Sequence, residues 1–259
     1  RNTPLKQTAS VRLSSVVAIL ILFTAAASRA PAGVELSQQA ADRLDKRCVV
    51  CHGCYDAPCQ LKLEAREGLE RGASKNKVYD GGRLVTAQMT RLFDDGFTER
   101  QWRKKGFFSV LNKDVPEAGL MHKMLTLKQT HPLPSTGPLP EEFDFSLNRQ
   151  QSCSKPDEFD DYASAFPFGG MPYGLPGLPN HEQQILLTWL ETGAPAVALT
   201  PLNTPVKEQL DKWESFLNGD SKKEQLMSRY VYEHLFLAGL YLVEEDVPIW
   251  FELWRQINS

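Results

Sequence analysis

The five residues Cys48, Val49, Val50, Cys51 and His52 constrain this chain more than any others in it. Two thiols three positions apart, followed directly by an imidazole, have the spacing at which both sulfurs can bond to the vinyl groups of haem while the histidine binds its iron. A Cys-x-x-Cys pair also serves thiol exchange and zinc, so the flanks must decide. A thiol redox protein would place a strand before the motif. A zinc site would draw on Cys48, Cys51, His52, Cys54 and Cys59.

The preceding segment reads as a helix. From Gly33 to Arg47, Val34, Ala40, Ala41 and Leu44 recur at three-to-four spacing, with Ser37 as the expected N-cap, so a short amphipathic helix should end at the cysteines. That is how c-type cytochrome domains begin, and it opposes the thiol redox reading. On the far side, the stretch from Pro167 to Pro179 is so rich in Gly and Pro that regular structure around Met171 is excluded. Rigid backbone there can hold a thioether toward iron, which makes Met171 the expected distal ligand opposite His52. Met121, Met124 and Met227 fall at apolar helical positions and are expected in the core. His122, His131, His181 and His234 have no partner at metal-ligand spacing. After haem attachment Cys54, Cys59 and Cys153 remain; a disulfide between Cys54 and Cys59, or from either to Cys153, would staple the haem loop, and the sequence does not choose.

The first thirty residues carry Arg1, Lys6, Arg12 and Arg29, no acidic residue, and an apolar run from Val16 to Ala27 followed by small residues. This reads as an export signal cleaved after Ala27 or Ala30, the apolar run of about twelve residues being shorter than the roughly twenty needed to cross a bilayer. A periplasmic location follows, where haem can be joined to thiols and disulfides persist. The whole chain has a formal charge of -3, and loss of the four basic residues makes the remainder more acidic, which leaves no electrostatic case for nucleic acid. A chain beginning at Arg1 is read as a piece of a longer one.

Further along, Thr98 or Asp95 should cap a helix to Lys105 anchored by Trp102. The loop from His131 to Pro140 holds four prolines. Asn180 is expected to cap a helix with Ile185, Leu186, Trp189 and Leu190 on one face, stopping at Gly193-Ala194-Pro195. Beyond Thr200, helices are expected from Val206 to Leu217, from Glu224 to Val243 and from Ile249 to Arg255. The fold class is therefore mainly α: an export signal over residues 1–30, a c-type cytochrome-like haem domain over 31–199 with a long insertion between the haem motif and the Met171 loop, and a helical segment over 200–259. The broad apolar face of the helix from Glu224 needs a partner surface.

The string CVVCHGCYDAPCQLKLEAREGLERGASKNKVYDGGRL, from Cys48 to Leu84, resembles the start of the fatty acid cis/trans isomerase family of exported haem proteins. Similar strings follow at Glu99 to Phe107 (ERQWRKKGF), Gly169 to Leu178 (GGMPYGLPGL), Thr188 to Pro195 (TWLETGAP) and Ser228 to Leu240 (SRYVYEHLFLAGL). The resemblance implies an enzyme that turns cis-unsaturated acyl chains of membrane phospholipids into the trans form with haem and without ATP or nicotinamide, in contact with the membrane periphery. It implies that Cys48 and Cys51 hold covalent haem c, and that His52 acts through the iron it binds. A tight Met171 ligand would close the sixth iron position, so on this reading it is displaced or the chemistry is outer-sphere. It also implies a longer chain than this one. The competing reading is an electron-transfer cytochrome module, in which His52 and Met171 keep the iron six-coordinate.

Overall fold

A computed structural model describes residues 32–53, 57–77, 79–80, 83–84, 96–146, 149, 152–197, 202–236, 238–242, 250–251 and 253. The expected export signal over residues 1–30, Cys54, Asp95, and most of the expected helix from Ile249 to Arg255 lie outside these residues. The protein is mainly helical, with three two-stranded antiparallel ladders among the described residues.

Helix α1 (Ala32–Arg47) runs straight into the short α2 (Val49–His52). Ser37 does not cap α1: it lies inside the helix and is 2% exposed. The apolar face marked by Ala40, Ala41 and Leu44 extends back through it, and a small hydroxyl residue three and four positions earlier shares that buried face. After a 3₁₀ turn at Pro58–Gln60 come α3 (Arg66–Arg71) and strand β1 (Ala73–Ser74). Strands β2 (Tyr79–Asp80) and β3 (Arg83–Leu84) pair with each other. Helix α4 (Glu99–Lys104) is capped by Thr98, whose hydroxyl accepts from the Gln101 amide while the Gln101 side chain returns to the Thr98 amide. Strand β4 (Phe107–Phe108) then pairs with β1, Ala73 opposite Phe108 and Ser74 opposite Phe107.

Helix α5 (Leu120–Thr130) buries Met121 and Met124 as expected. The stretch from His131 to Pro140 forms neither helix nor strand, and α6 (Phe159–Ala165), which the sequence reading missed, follows. Helix α7 (Asn180–Glu191) starts one residue earlier than Asn180 as a cap would require. Pro179 occupies the cap, its carbonyl accepting the amides of Glu182 and Gln183, because the fixed proline torsion already aims the chain into the helix. Its end is as expected: Gly193 takes a positive φ of 87°, its amide donates to Leu190 and that of Ala194 to Trp189, a Schellman stop. The Trp189 indole donates to the Pro195 carbonyl and the Arg66 guanidinium to that of Ala194, which fixes the exit.

One core joins these elements, with Ala40 and Leu44 of α1, Met121, Met124 and Leu125 of α5 and Leu186, Trp189 and Leu190 of α7 at its centre. Helix α1 packs on α7. The last turn of α1 meets the first turn of α7 through Arg47, whose guanidinium donates to both Glu182 oxygens at 2.7 and 2.9 Å. Each charge also sits at the helix end whose dipole favours it.

Helices α8 (Thr204–Leu217) and α9 (Lys222–Leu235) pack on each other. The expected continuation of the second helix to Val243 is wrong: after Phe236 the chain turns, and β5 (Leu240–Tyr241) pairs with β6 (Trp250–Phe251), where a third helix was expected. Gly239 and the aromatic, β-branched character of the flanking residues favour extended chain over a longer helix. Met227 is not in the core, being 39% exposed. No helix among the described residues is long and apolar enough to cross a membrane.

Candidate functional site

The motif sits on continuous helical backbone. The Cys48 amide donates to Leu44, and the amides of Cys51 and His52 both donate to Cys48, at 3.1 and 2.9 Å. Positions i, i+3 and i+4 of such a turn share one face, so the spacing itself brings two sulfurs and one imidazole to the same side. Cys48 is half-buried against the core and Cys51 is exposed; both are free thiols.

His52 is 8% exposed. Its Nδ1 lies 2.9 Å from the Leu61 carbonyl oxygen, to which it donates in the tautomer that leaves Nε2 bare. Its own carbonyl accepts from the Leu63 amide at 2.8 Å, so the segment after the 3₁₀ turn folds back over the ring by two bonds. Burial holds the imidazole below its usual pKa, partly offset by the Leu61 contact, and so keeps it neutral and ligand-ready at neutral pH. Metal-binding histidines characteristically donate their second nitrogen to a carbonyl or carboxylate in this way.

The turn that supplies Leu61 is itself anchored. Cys59, with a positive φ of 56°, is disulfide-bonded to Cys153, 94 residues away. The buried Arg71 guanidinium donates to the Gln60 carbonyl and lies 5.5 and 5.3 Å from the ring centroids of Trp102 and Phe107. The pairing of Cys59 with Cys153 selects one of the disulfides that the sequence left open, and it takes Cys59 out of the zinc set. Among the described residues no group of three or more His, Cys, Asp or Glu could hold a metal ion. Thiol exchange is opposed by chemistry as well as by the preceding helix: burial and the neighbouring Cys51 push the Cys48 thiol up to about 12, so it is not a ready thiolate.

Met171 sits on the Gly/Pro loop, partly buried against the same core as Cys48, and its amide donates to the Met124 carbonyl at 3.0 Å. The backbone thus ties it to α5 and not to the turn that carries His52. The other histidines have local roles. His122 Nε2 stands 3.3 Å from Glu191 Oε1, His131 Nδ1 3.0 Å from the Thr130 hydroxyl, and His234 Nδ1 2.7 Å from the Tyr230 carbonyl. His181 is exposed.

The donor set fits a covalently attached haem: two unpaired thiols and one oriented imidazole on a single helical face. Sequence reading missed the Leu61 carbonyl, which belongs to the backbone and has no residue signature.

No curated protein and no solved structure matches this chain. The sequence pattern of the fatty acid cis/trans isomerase family matches residues 87–259. That span takes in the strings at Glu99, Gly169, Thr188 and Ser228, and starts after the segment from Cys48 to Leu84. It covers more than half of the chain, which therefore belongs to the fatty acid cis/trans isomerase family.

Proposed function

We propose that this protein converts cis double bonds of unsaturated fatty acyl chains of membrane phospholipids to trans, in the periplasm, with a haem attached at Cys48 and Cys51. Family membership supports the reaction. The observation that carries the cofactor is the buried His52 ring, with Nδ1 bound to Leu61 and Nε2 left for a metal. A haem held there would supply electron withdrawal from a π bond, which lowers the barrier to rotation about it.

The chain's own residues supply the rest. Cys48 and Cys51 would hold the group through two thioether bonds, and His52 would bind its iron. The Cys59–Cys153 bridge and Arg71 anchor the turn next to Leu61, whose carbonyl accepts from the imidazole. Met171, on a loop bound to α5, is the other residue that would bind the iron. The alternative, an electron-transfer module, is favoured by the packing of Met171 and Cys48 against one core.

Gas chromatography of phospholipid fatty acids incubated with the protein separates the two. Trans product that depends on His52 and Cys51 is expected. His52→Ala protein that retains trans formation, or a pyridine haemochrome spectrum without the thioether-type band, refutes the haem-dependent reading. Met171→Ala should abolish any sulfur-to-iron charge-transfer absorption, and an unchanged spectrum clears Met171.

A further inference from the structure

Four of the five cysteines lie between residues 48 and 59, and the fifth is Cys153. A chain so arranged can pair its thiols in competing ways. By loop-closure entropy alone, Cys59 meets Cys51, eight positions back, on the order of fortyfold more often than it meets Cys153, 94 positions on. The fold nevertheless joins Cys59 to Cys153 and leaves Cys48 and Cys51 as thiols.

Folding does not take Cys59 away from the motif. Its 3₁₀ turn packs on α2, which carries Cys51 and His52. Leu61, two residues after Cys59, accepts the hydrogen bond of His52 Nδ1 at 2.9 Å, and the Leu63 amide donates to the His52 carbonyl at 2.8 Å. Cys59 and Cys48 are both partly buried against one core. Cys51 is exposed, so an oxidant in solution reaches it, whereas burial holds Cys48 in its thiol form. An unbonded Cys59 would therefore be a third thiol beside a pair that must stay open for any group to be joined to it.

We propose that the Cys59–Cys153 bridge is a pairing lock for the attachment motif: by committing Cys59 to a distant partner it keeps Cys48 and Cys51 available as a dithiol. That this dithiol takes a haem rests on the function proposed above; the lock itself does not. Without Cys153 the competing step runs on a small disulfide. The thiols of Cys51 and Cys59 lose two electrons and two protons to one oxidised glutathione, which leaves as two reduced molecules, and a Cys51–Cys59 bond closes the motif.

The test maps disulfides in the full chain prepared without haem. Wild type, Cys153→Ser and the double variant Cys59→Ser/Cys153→Ser are incubated with reduced and oxidised glutathione, blocked with iodoacetamide, and digested without reduction for mass spectrometry. In the wild type Cys48 and Cys51 are both alkylated. In Cys153→Ser, peptides joining Cys59 to Cys51 or Cys48 are expected, and chains with both motif thiols alkylated fall by on the order of tenfold. The double variant has lost the same crosslink but carries no Cys59 thiol, so it recovers the open motif, which a loss of stability alone would not allow. Three results each overturn the lock and leave the bridge as a structural crosslink: a Cys153→Ser chain as open as the wild type, Cys59 paired with Cys54 alone, or a double variant no more open than the single one. Covalent haem, read as the thioether-type band of the pyridine haemochrome, should fall and recover in the same order when the three chains are made in cells that attach haem. A wild type without that band defeats the haem reading alone, and the mapping still decides the lock.

Discussion

Helices α7 and α9 are of similar length, twelve and fourteen residues, and both carry an apolar stripe, yet they end in opposite environments. In α7, Leu186, Leu187, Trp189 and Leu190 are all buried, Leu186 completely. In α9 no residue is buried, and Leu226 and Tyr230 are 67% and 57% exposed. The stripe says which face of a helix can be buried; a complementary neighbour decides whether it is. Helix α7 has such a neighbour in α1, where Ala40 and Ala41 permit close approach and Arg47 and Glu182 fix the ends. Helix α9 meets α8, whose own Trp213 and Phe216 are 53% and 37% exposed, so the pair adds to the exposed apolar surface.

The contrast is broken most directly at its buried end. Leu186→Ala leaves a cavity at the centre of the core and should cost about 2–5 kcal/mol of unfolding free energy, read from urea melts of the purified protein. A cost below about 1 kcal/mol would mean that α7 is no better packed than α9.

What the sequence made legible follows the same division. Periodicity located α1, α7 and α8; Thr98, one of two expected caps, starts α4 and Gly193 ends α7, because capping and left-handed stops depend on local chemistry. Ser37 misled because a serine can serve either as a cap or as a small buried residue, and only the neighbouring helix decides between them. The β5–β6 pair was missed because its strands are two residues each, too short for an alternating pattern to register. At the site, the i, i+3, i+4 spacing of Cys48, Cys51 and His52 was enough to place three groups on one face. The Leu61 carbonyl and the choice of Cys153 for Cys59 required the tertiary fold.

The disulfide extends the comparison to the site. Cys59→Ser releases a crosslink spanning 94 residues and should cost about 2–4 kcal/mol, by denaturant melts under non-reducing conditions. Because that bridge holds the turn that presents the Leu61 carbonyl, protection of the His52 region from hydrogen exchange should fall with it. Unchanged exchange there would show that Arg71 alone fixes the turn.

Lys128 offers a pH-dependent version of the same argument within the packed region. Burial pushes its ammonium from the ordinary 10.5 down to about 8. Between those values the unfolded chain holds the proton and the folded chain releases it, so stability rises with pH across that window. Below pH 8 both states are protonated and the full penalty is present, at most on the order of 3 kcal/mol. Thermal melts of the wild type should therefore gain stability from pH 8 to 10.5 relative to Lys128→Met, which lacks the titrating group. Parallel profiles would show that water reaches the amine.

The smallest effect is expected at the exposed end of the contrast. Leu226→Gln in α9 removes an apolar side chain that is already 67% in water, so little burial is lost and glutamine is as good a helix former. The change in unfolding free energy should stay within about 0.5 kcal/mol in urea melts. Because Ser221 caps the helix and exchanges hydrogen bonds with Glu224, the helix has a local start signal that does not depend on Leu226. A loss above about 1 kcal/mol would require Leu226 to be buried in solution, and the position of α9 against its neighbours would then have to be closer to that of α7.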